Sequence, residues 1–391
     1  MGVIVEIRDP REDLEEKIAA YKWRKRRNIL LTVVTLLAAV ASTYLLVEMQ
    51  TYTNMRTIES YAGKGTDKSS YLQFADGVLK YSRDGISYLN KKGEEQWNQA
   101  YQIKNPFLNT SKKAVAVAAR GGNDIYVLDE KGLKGEIHTN YPIENMVVAE
   151  NGIVSALLKN ESSPLVVCYD AAGNILAEHR ASMSGTGYPI AMALSPQGTK
   201  LQISYLCVED GVQATRVTYF DFGESNGDEK EYQTAEEIYK NMVIPVSFFV
   251  NDKTSVLVGD RCFMIYKETN QRPEAAKTIE LDKEIKSVFY DEEYLGFILN
   301  DSDEGYEMRL YDMEGREKLS RAFTGEYTNV KVSRGNVFLY NGKKCRIYSE
   351  LGVKKFDGEA DQDILEILPL TGINKYLVMN AGGMDEIRLV K

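Results

Sequence analysis

Two histidines, two tryptophans and four cysteines in 391 residues leave little material for common catalytic or metal-binding chemistry. The chain has no HExxH, no GxSxG and no glycine-rich phosphate loop, so the sequence signals of zincins, α/β-hydrolases and P-loop enzymes are all missing. His138 and His179 lie about forty residues apart beside polar neighbours at predicted strand ends, where a solvated or locally bonded imidazole is the ordinary outcome. Cys168, Cys207, Cys262 and Cys345 sit inside apolar runs without CxxC spacing, which argues against a zinc site or a redox pair and favours buried free thiols. No surplus of positive charge exists either. Formal charge is −9, and because residues 1–28 carry eight basic and six acidic side chains, the remainder carries −11. Phosphate partners attract Lys- and Arg-rich surfaces, so nucleic-acid binding is excluded as a working class.

The chain has one long uncharged apolar run, ILLTVVTLLAAVASTYLLV at residues 29–47. Nineteen residues at about 1.5 Å each match the hydrocarbon core of a bilayer, so this segment is expected to be a transmembrane helix. Lys22, Arg24, Lys25, Arg26 and Arg27 precede it and the first basic residue after it is Arg56. The positive-inside rule then places residues 1–28 in the cytoplasm as a basic head and residues 48–391 outside. A cleaved signal peptide is the rival reading, since Ala39, Val40 and Ala41 form a small-residue cleavage pattern. Asp9, Pro10 and Glu12 resemble an N-cap, a first-turn proline and a capping partner, so a helix is expected to start there and run into the membrane. Glu6 stands where myristoylation wants Ser or Thr, which excludes that anchor.

From residue 85 onward an apolar run ending in a polar residue and a glycine turn keeps returning, as in ISYLNKKGEEQW, VVCYDAAGNILAE and RLYDMEGREKLS. Aligned on Asn90, Asp129, Asp170, Asp221, Lys267, Asp312, Ser349 and Lys391, the copies are spaced by 39, 41, 51, 46, 45, 37 and 42 residues. That is the length of a four-stranded propeller blade, and eight copies predict an all-β, eight-bladed β-propeller, with seven blades plus a stray hairpin as the alternative. The second copy shows the rhythm: strands at 106–111, 114–120, 124–129 and 135–139, the second apolar on both faces as a strand between two sheets must be. The last copy ends one strand short, and residues 51–61 are expected to supply the closing strand, with 57–61 pairing directly. A longer acidic connection at 223–240 is expected to protrude, with Thr234 and Glu237 capping a short helix.

The LNKKGEEQW stretch at 89–97 resembles a blade repeat of quinoprotein-type propellers, in which a glycine turn precedes a docking tryptophan, here Trp97. Later copies keep the turn without the aromatic and resemble degenerate repeats of the broad WD- and quinoprotein-like group. The layout of basic head, single span and eight-bladed disc, over residues 22–391, is similar to an uncharacterised family of bacterial single-pass membrane proteins. That resemblance implies fold and address, not an activity.

Candidate site residues are few. Asp301, Asp303 and Glu307, in the loop NDSDEGYE, are the best metal candidates, but the glycine and the terminal glutamate are out of step with a calcium loop, and a polar hairpin turn accounts for the pattern better. Twenty-five tyrosines invite a sugar-binding reading, although most fall in strand motifs where they pack with the hydroxyl at a rim. No cofactor and no catalytic residue is expected. The favoured expectation is a non-enzymatic, extracytoplasmic scaffold for envelope protein partners, which predicts a broad apolar patch. A receptor for a small or saccharide ligand, signalling through the helix, predicts instead convergent polar groups at the propeller axis.

Overall fold

The computed structural model describes residues 10–63, 69–160, 163–223, 232–269, 272–302 and 305–391. The chain divides into two units, Met1–Thr51 and Tyr52–Lys391. In the first, one helix runs unbroken over Pro10–Glu48; Asp9 lies outside the described residues. A stretch of 25 residues, Ala19–Thr43, is long and apolar enough to cross a membrane, as an anchor or as a signal sequence. Leu30, Leu36, Leu37 and Val40 are exposed along it. The hydroxyls of Thr32, Thr35 and Thr43 donate to the carbonyls of Asn28, Leu31 and Ala39 one turn back, so these polar groups are satisfied within the helix itself.

The second unit is an eight-bladed β-propeller of eight four-stranded antiparallel sheets. Blades one to seven each use four consecutive strands in the order of the chain. Blade two is built from Pro106–Thr110, Ala114–Ala119, Asp124–Asp129 and Gly132–His138. In the eighth, Glu366–Pro369, Lys375–Asn380 and Gly383–Val390 are completed by Asn54–Ala62 from the other end of the chain, which pairs antiparallel from Asn54↔Val390 to Ala62↔Gly383. Tyr52, just before that strand, is 9% exposed. Its N–H donates to the Lys355 carbonyl at 2.8 Å, and its hydroxyl accepts from Asn374, so the entry point is part of the core.

The recurring turn has one physical cause. Asn90, Asp170 and Asp312 end third strands, and each uses one side-chain oxygen to accept two backbone N–H groups: from Lys92 and Glu94, from Ala172 and Asn174, and from Glu314 and Arg316. Between them Gly93, Gly173 and Gly315 take φ values of 74, 87 and 69°, a region that side chains other than glycine's rarely adopt.

Packing between blades follows strand alternation. In Ala114–Ala119, the residues Ala114, Ala116 and Ala118 pack with Val154, Ala156 and Leu158 of blade three, while Val115 and Val117 pack with Leu79 and Ile86 of blade one. All five are fully buried, which is why the strand reads apolar throughout. Gly135 shows how close the backbones come: a Cβ there would lie 1.8 Å from the Ala171 carbonyl oxygen of the next blade.

The fourth blade corrects one expectation. Gln233–Lys240 is its fourth strand, not a capped helix; residues 224–231 lie outside the described residues. The capping pattern at Thr234 and Glu237 is overridden by the ten-residue partner Val212–Asp221, against which Ala214↔Lys240 to Phe220↔Gln233 pair. Arg216 secures the pairing through Glu236 Oε1 at 2.8 Å.

Candidate functional site

Inner strands of successive blades approach one another around the propeller axis, and a cavity of about 700 Å³ opens where those strands turn into the second ones. Every blade contributes, from Gln73 of blade one through Asn109 and Lys112 of blade two to Lys331 of blade seven and Glu366 of blade eight. The chain enters the propeller on this face, since the closing strand begins at Asn54 opposite Val390, the end of a third strand.

Ion pairs between blades organise the cavity wall. Lys331 Nζ donates to Glu366 Oε1 at 2.5 Å and to Gln73 Oε1 at 3.4 Å, and Ser333 Oγ reaches the same Gln73 oxygen at 3.2 Å, tying blades seven, eight and one. Lys113 and Glu150 pair at 3.0 Å between blades two and three, where Asn109 Oδ1 also accepts the Val148 N–H at 2.8 Å. Lys112 Nζ lies 2.7 Å from Glu292 Oε2. That contact joins blade two to blade six, which face each other in a ring of eight. On blade six, Tyr290 stacks parallel to Phe248 of blade five with ring centroids 3.7 Å apart. Tyr290 is nevertheless 47% exposed, its free surface lining the cavity. Beside it, burial raises the pKa of Asp291, opposed by the N–H groups of Glu293 and Tyr294 that its Oδ1 accepts at 2.9 Å.

The metal candidates sit elsewhere, on the second and third strands of blade six. Asp301 and Glu307 both engage Lys283, whose ammonium lies between them; Asp303 lies outside the described residues. Glu307, on Gly305–Asp312, also accepts from Arg309 Nε at 2.5 Å and Ser320 Oγ at 2.7 Å. The Arg309 guanidinium foremost, then Lys283 and Ser320, hold its carboxyl at about 2 against the opposing effect of burial. A lysine therefore stands where a cation would have to bind. Among the described residues no three His, Cys, Asp or Glu side chains converge as a metal set.

The remaining candidates stay dispersed. His138 Nδ1 meets Asp124 Oδ1 at 2.8 Å on the exposed outer edge of blade two, while His179 packs against Phe220 with centroids 4.9 Å apart. All four cysteines are free; Cys168, Cys262 and Cys345 are buried and Cys207 is half-buried. Tyr205, Tyr219, Tyr266, Tyr311, Tyr340 and Tyr376 are buried in the blades, and Tyr290 is the tyrosine that lines the axial cavity. Trp97 docks on the next blade: its Nε1 donates to the Glu130 carbonyl at 3.1 Å, and Gly132 lies against its side chain. Lys22, Arg24, Lys25, Arg26 and Arg27 are exposed on the helix of the first unit, with the Arg27 guanidinium 4.8 Å from the Trp23 ring centroid. Sequence reasoning named none of the axial residues, because they come from eight strands that are distant in the chain.

Solved structures share this architecture at low identity. The Sqt1 structure from Saccharomyces cerevisiae is 10% identical, over 88% of this chain and 100% of that one, with a TM-score of 0.51. AztD from Citrobacter koseri is 11% identical over 75% of this chain and 87% of that one, also at 0.51, and BamB from Moraxella catarrhalis is 12% identical over 86% and 100%, at 0.48. At this identity the likeness to Sqt1 and AztD shows the fold alone. No curated protein matches the chain. Residues 48–389 match the model described as "Family of unknown function (DUF5711)", and the chain belongs to that family.

Proposed function

We propose that the protein is a membrane-anchored, non-enzymatic binding propeller at the outer face of a bacterial cytoplasmic membrane, and that its ligand enters the axial cavity. The observation that carries this reading is the convergence of charged and polar side chains from seven of the eight blades on one space of about 700 Å³, within the range of small-molecule sites. The basic cluster at Lys22, Arg24, Lys25, Arg26 and Arg27 supports a cytoplasmic N-terminus, with residues 1–28 as a signalling head and 29–47 as the span. Exposed apolar side chains of the propeller, such as Leu133, Ile175, Leu351 and the blade-eight pair Ile58 and Ile373, are spread over four blades.

A scaffold for an envelope protein partner draws support from one feature. The hairpin of Lys200–Glu209 and Val212–Asp221 extends beyond its neighbour, whose pairing stops at Tyr188↔Leu206, and carries Val208 at 74% exposure. Photo-cross-linking of the full chain in native membranes separates the two readings. p-Benzoylphenylalanine in place of Phe249 reports on the cavity wall, and in place of Val208 on the hairpin. Adducts at 249 support the receptor; protein adducts confined to 208 support the scaffold and overturn the axial reading.

A further inference from the structure

We propose that the axial cavity takes a dipolar ligand, one carrying both a protonated amine and a carboxylate, whose two charges replace each other's partners in the Lys112–Glu292 pair. This rests on the axial reading above. Lys112 and Glu292 reach toward each other from opposite blades and meet at 2.7 Å, with side chains 48% and 59% exposed. Ion pairs this exposed are weakly held, so a ligand can part them at small cost. Among the described residues each is the other's sole ion-pair partner. The other cavity lysine, Lys331, is committed to Glu366, and Glu150 is committed to Lys113.

That charge arrangement discriminates between ligand classes. An anion such as phosphate would have to take Lys112 and leave Glu292 facing it, and among the lining lysines none is free to compensate. A simple cation would satisfy Glu292 and strand Lys112. A ligand with both charges satisfies both residues, exchanging one ion pair for two. Tyr290, two residues before Glu292 and half-exposed on its stack with Phe248, gives the amine end an aromatic face as well as a carboxylate.

Glycylglycine is the probe, with N-acetylglycylglycine and glycylglycinamide as versions lacking one charge each, measured by saturation-transfer NMR on the full chain in detergent. The expected result is transfer to glycylglycine, with affinity lowered about tenfold by Lys112→Gln and likewise by Glu292→Gln, and a comparable loss for either blocked probe. Absence of transfer, equal transfer to all three probes, or opposite effects of the two substitutions overturns the inference. Both variants should keep the wild-type melting temperature, which separates lost recognition from lost fold. If Phe249-position cross-links form while glycylglycine fails, the receptor reading stands and the dipolar ligand falls; if neither is seen, both fall.

Discussion

Replacing Glu307 with Gln tests whether the blade-six carboxylate is a structural anion or a metal ligand. Its carboxyl falls from an ordinary 4.5 to about 2, caused first by the Arg309 guanidinium. Its side chain is 9% exposed, so solvent screens it little. At roughly 1.4 kcal/mol per pH unit, the ionised group contributes about 3 kcal/mol at neutral pH. Because the folded value is depressed, that contribution is fully present above about pH 4.5 and is lost as the pH falls toward 2. Arg309 keeps Asp282 at 2.6 Å and Lys283 keeps Asp301, so the substitution does not strand either cation completely. Urea unfolding followed by circular dichroism should show Glu307→Gln less stable than wild type by about 3 kcal/mol at pH 7 and by about 1 kcal/mol at pH 3. Calcium should leave the wild-type midpoint unchanged. A stability gap equal at both pH values, or a calcium-dependent rise abolished by Glu307→Gln, would refute the reasoning.

Three further outcomes follow from packing. Trp97→Ala removes an indole stacked on Tyr88 at 5.9 Å and hydrogen-bonded to the next blade, and should cost about 2 kcal/mol in denaturant melts, half the value for fully buried aromatics; an unchanged midpoint would mean that this docking contributes nothing. Gly135→Ala drives a methyl into the Ala171 carbonyl, so it should destabilise by well over ~2 kcal/mol, against about 1 kcal/mol for Gly121→Ser, whose site is open and whose cost is the strain of a side chain at its positive φ. Burial pushes the Cys168 thiol up to about 11 and the Cys345 thiol up to about 12, so iodoacetamide at pH 8 should label Cys207 first and reach those two only on unfolding; early modification of Cys168 would contradict its burial.

Blade number and strand order were legible because the local chemistry repeats. A third strand ending in Asn or Asp is followed three residues on by a glycine at positive φ, and that pair marks Asn90–Gly93, Asp170–Gly173 and Asp312–Gly315 in blades one, three and six. The alternation of Ala114 to Ala118 announced a strand buried on both sides for the same reason: each side chain has only the next blade to face. Where local and tertiary signals disagreed, the sequence misled. Thr234 to Glu237 reads as a helix cap within four residues, but the competing force comes from Val212–Asp221, on the far side of an acidic connection. The axial cavity left no comparable mark. Lys112 and Glu292 are 180 residues apart, and their meeting depends on eight blades closing into a ring, which no local pattern encodes. Lys283 was invisible in the same way, since the acidic loop gives no sign of a lysine arriving from 18 residues upstream of Asp301.

The proposed function rests on the axial cavity, and its most direct test is photo-cross-linking of the full chain in its native membranes from position 249, with position 175 on the outer strand Ile175–Arg180 as the control. A small-molecule adduct of defined mass at 249, absent at 175 and reduced by Lys112→Gln, is the predicted result. Adducts at 175 with none at 249 would contradict it and move the site of recognition to the propeller's outer rim.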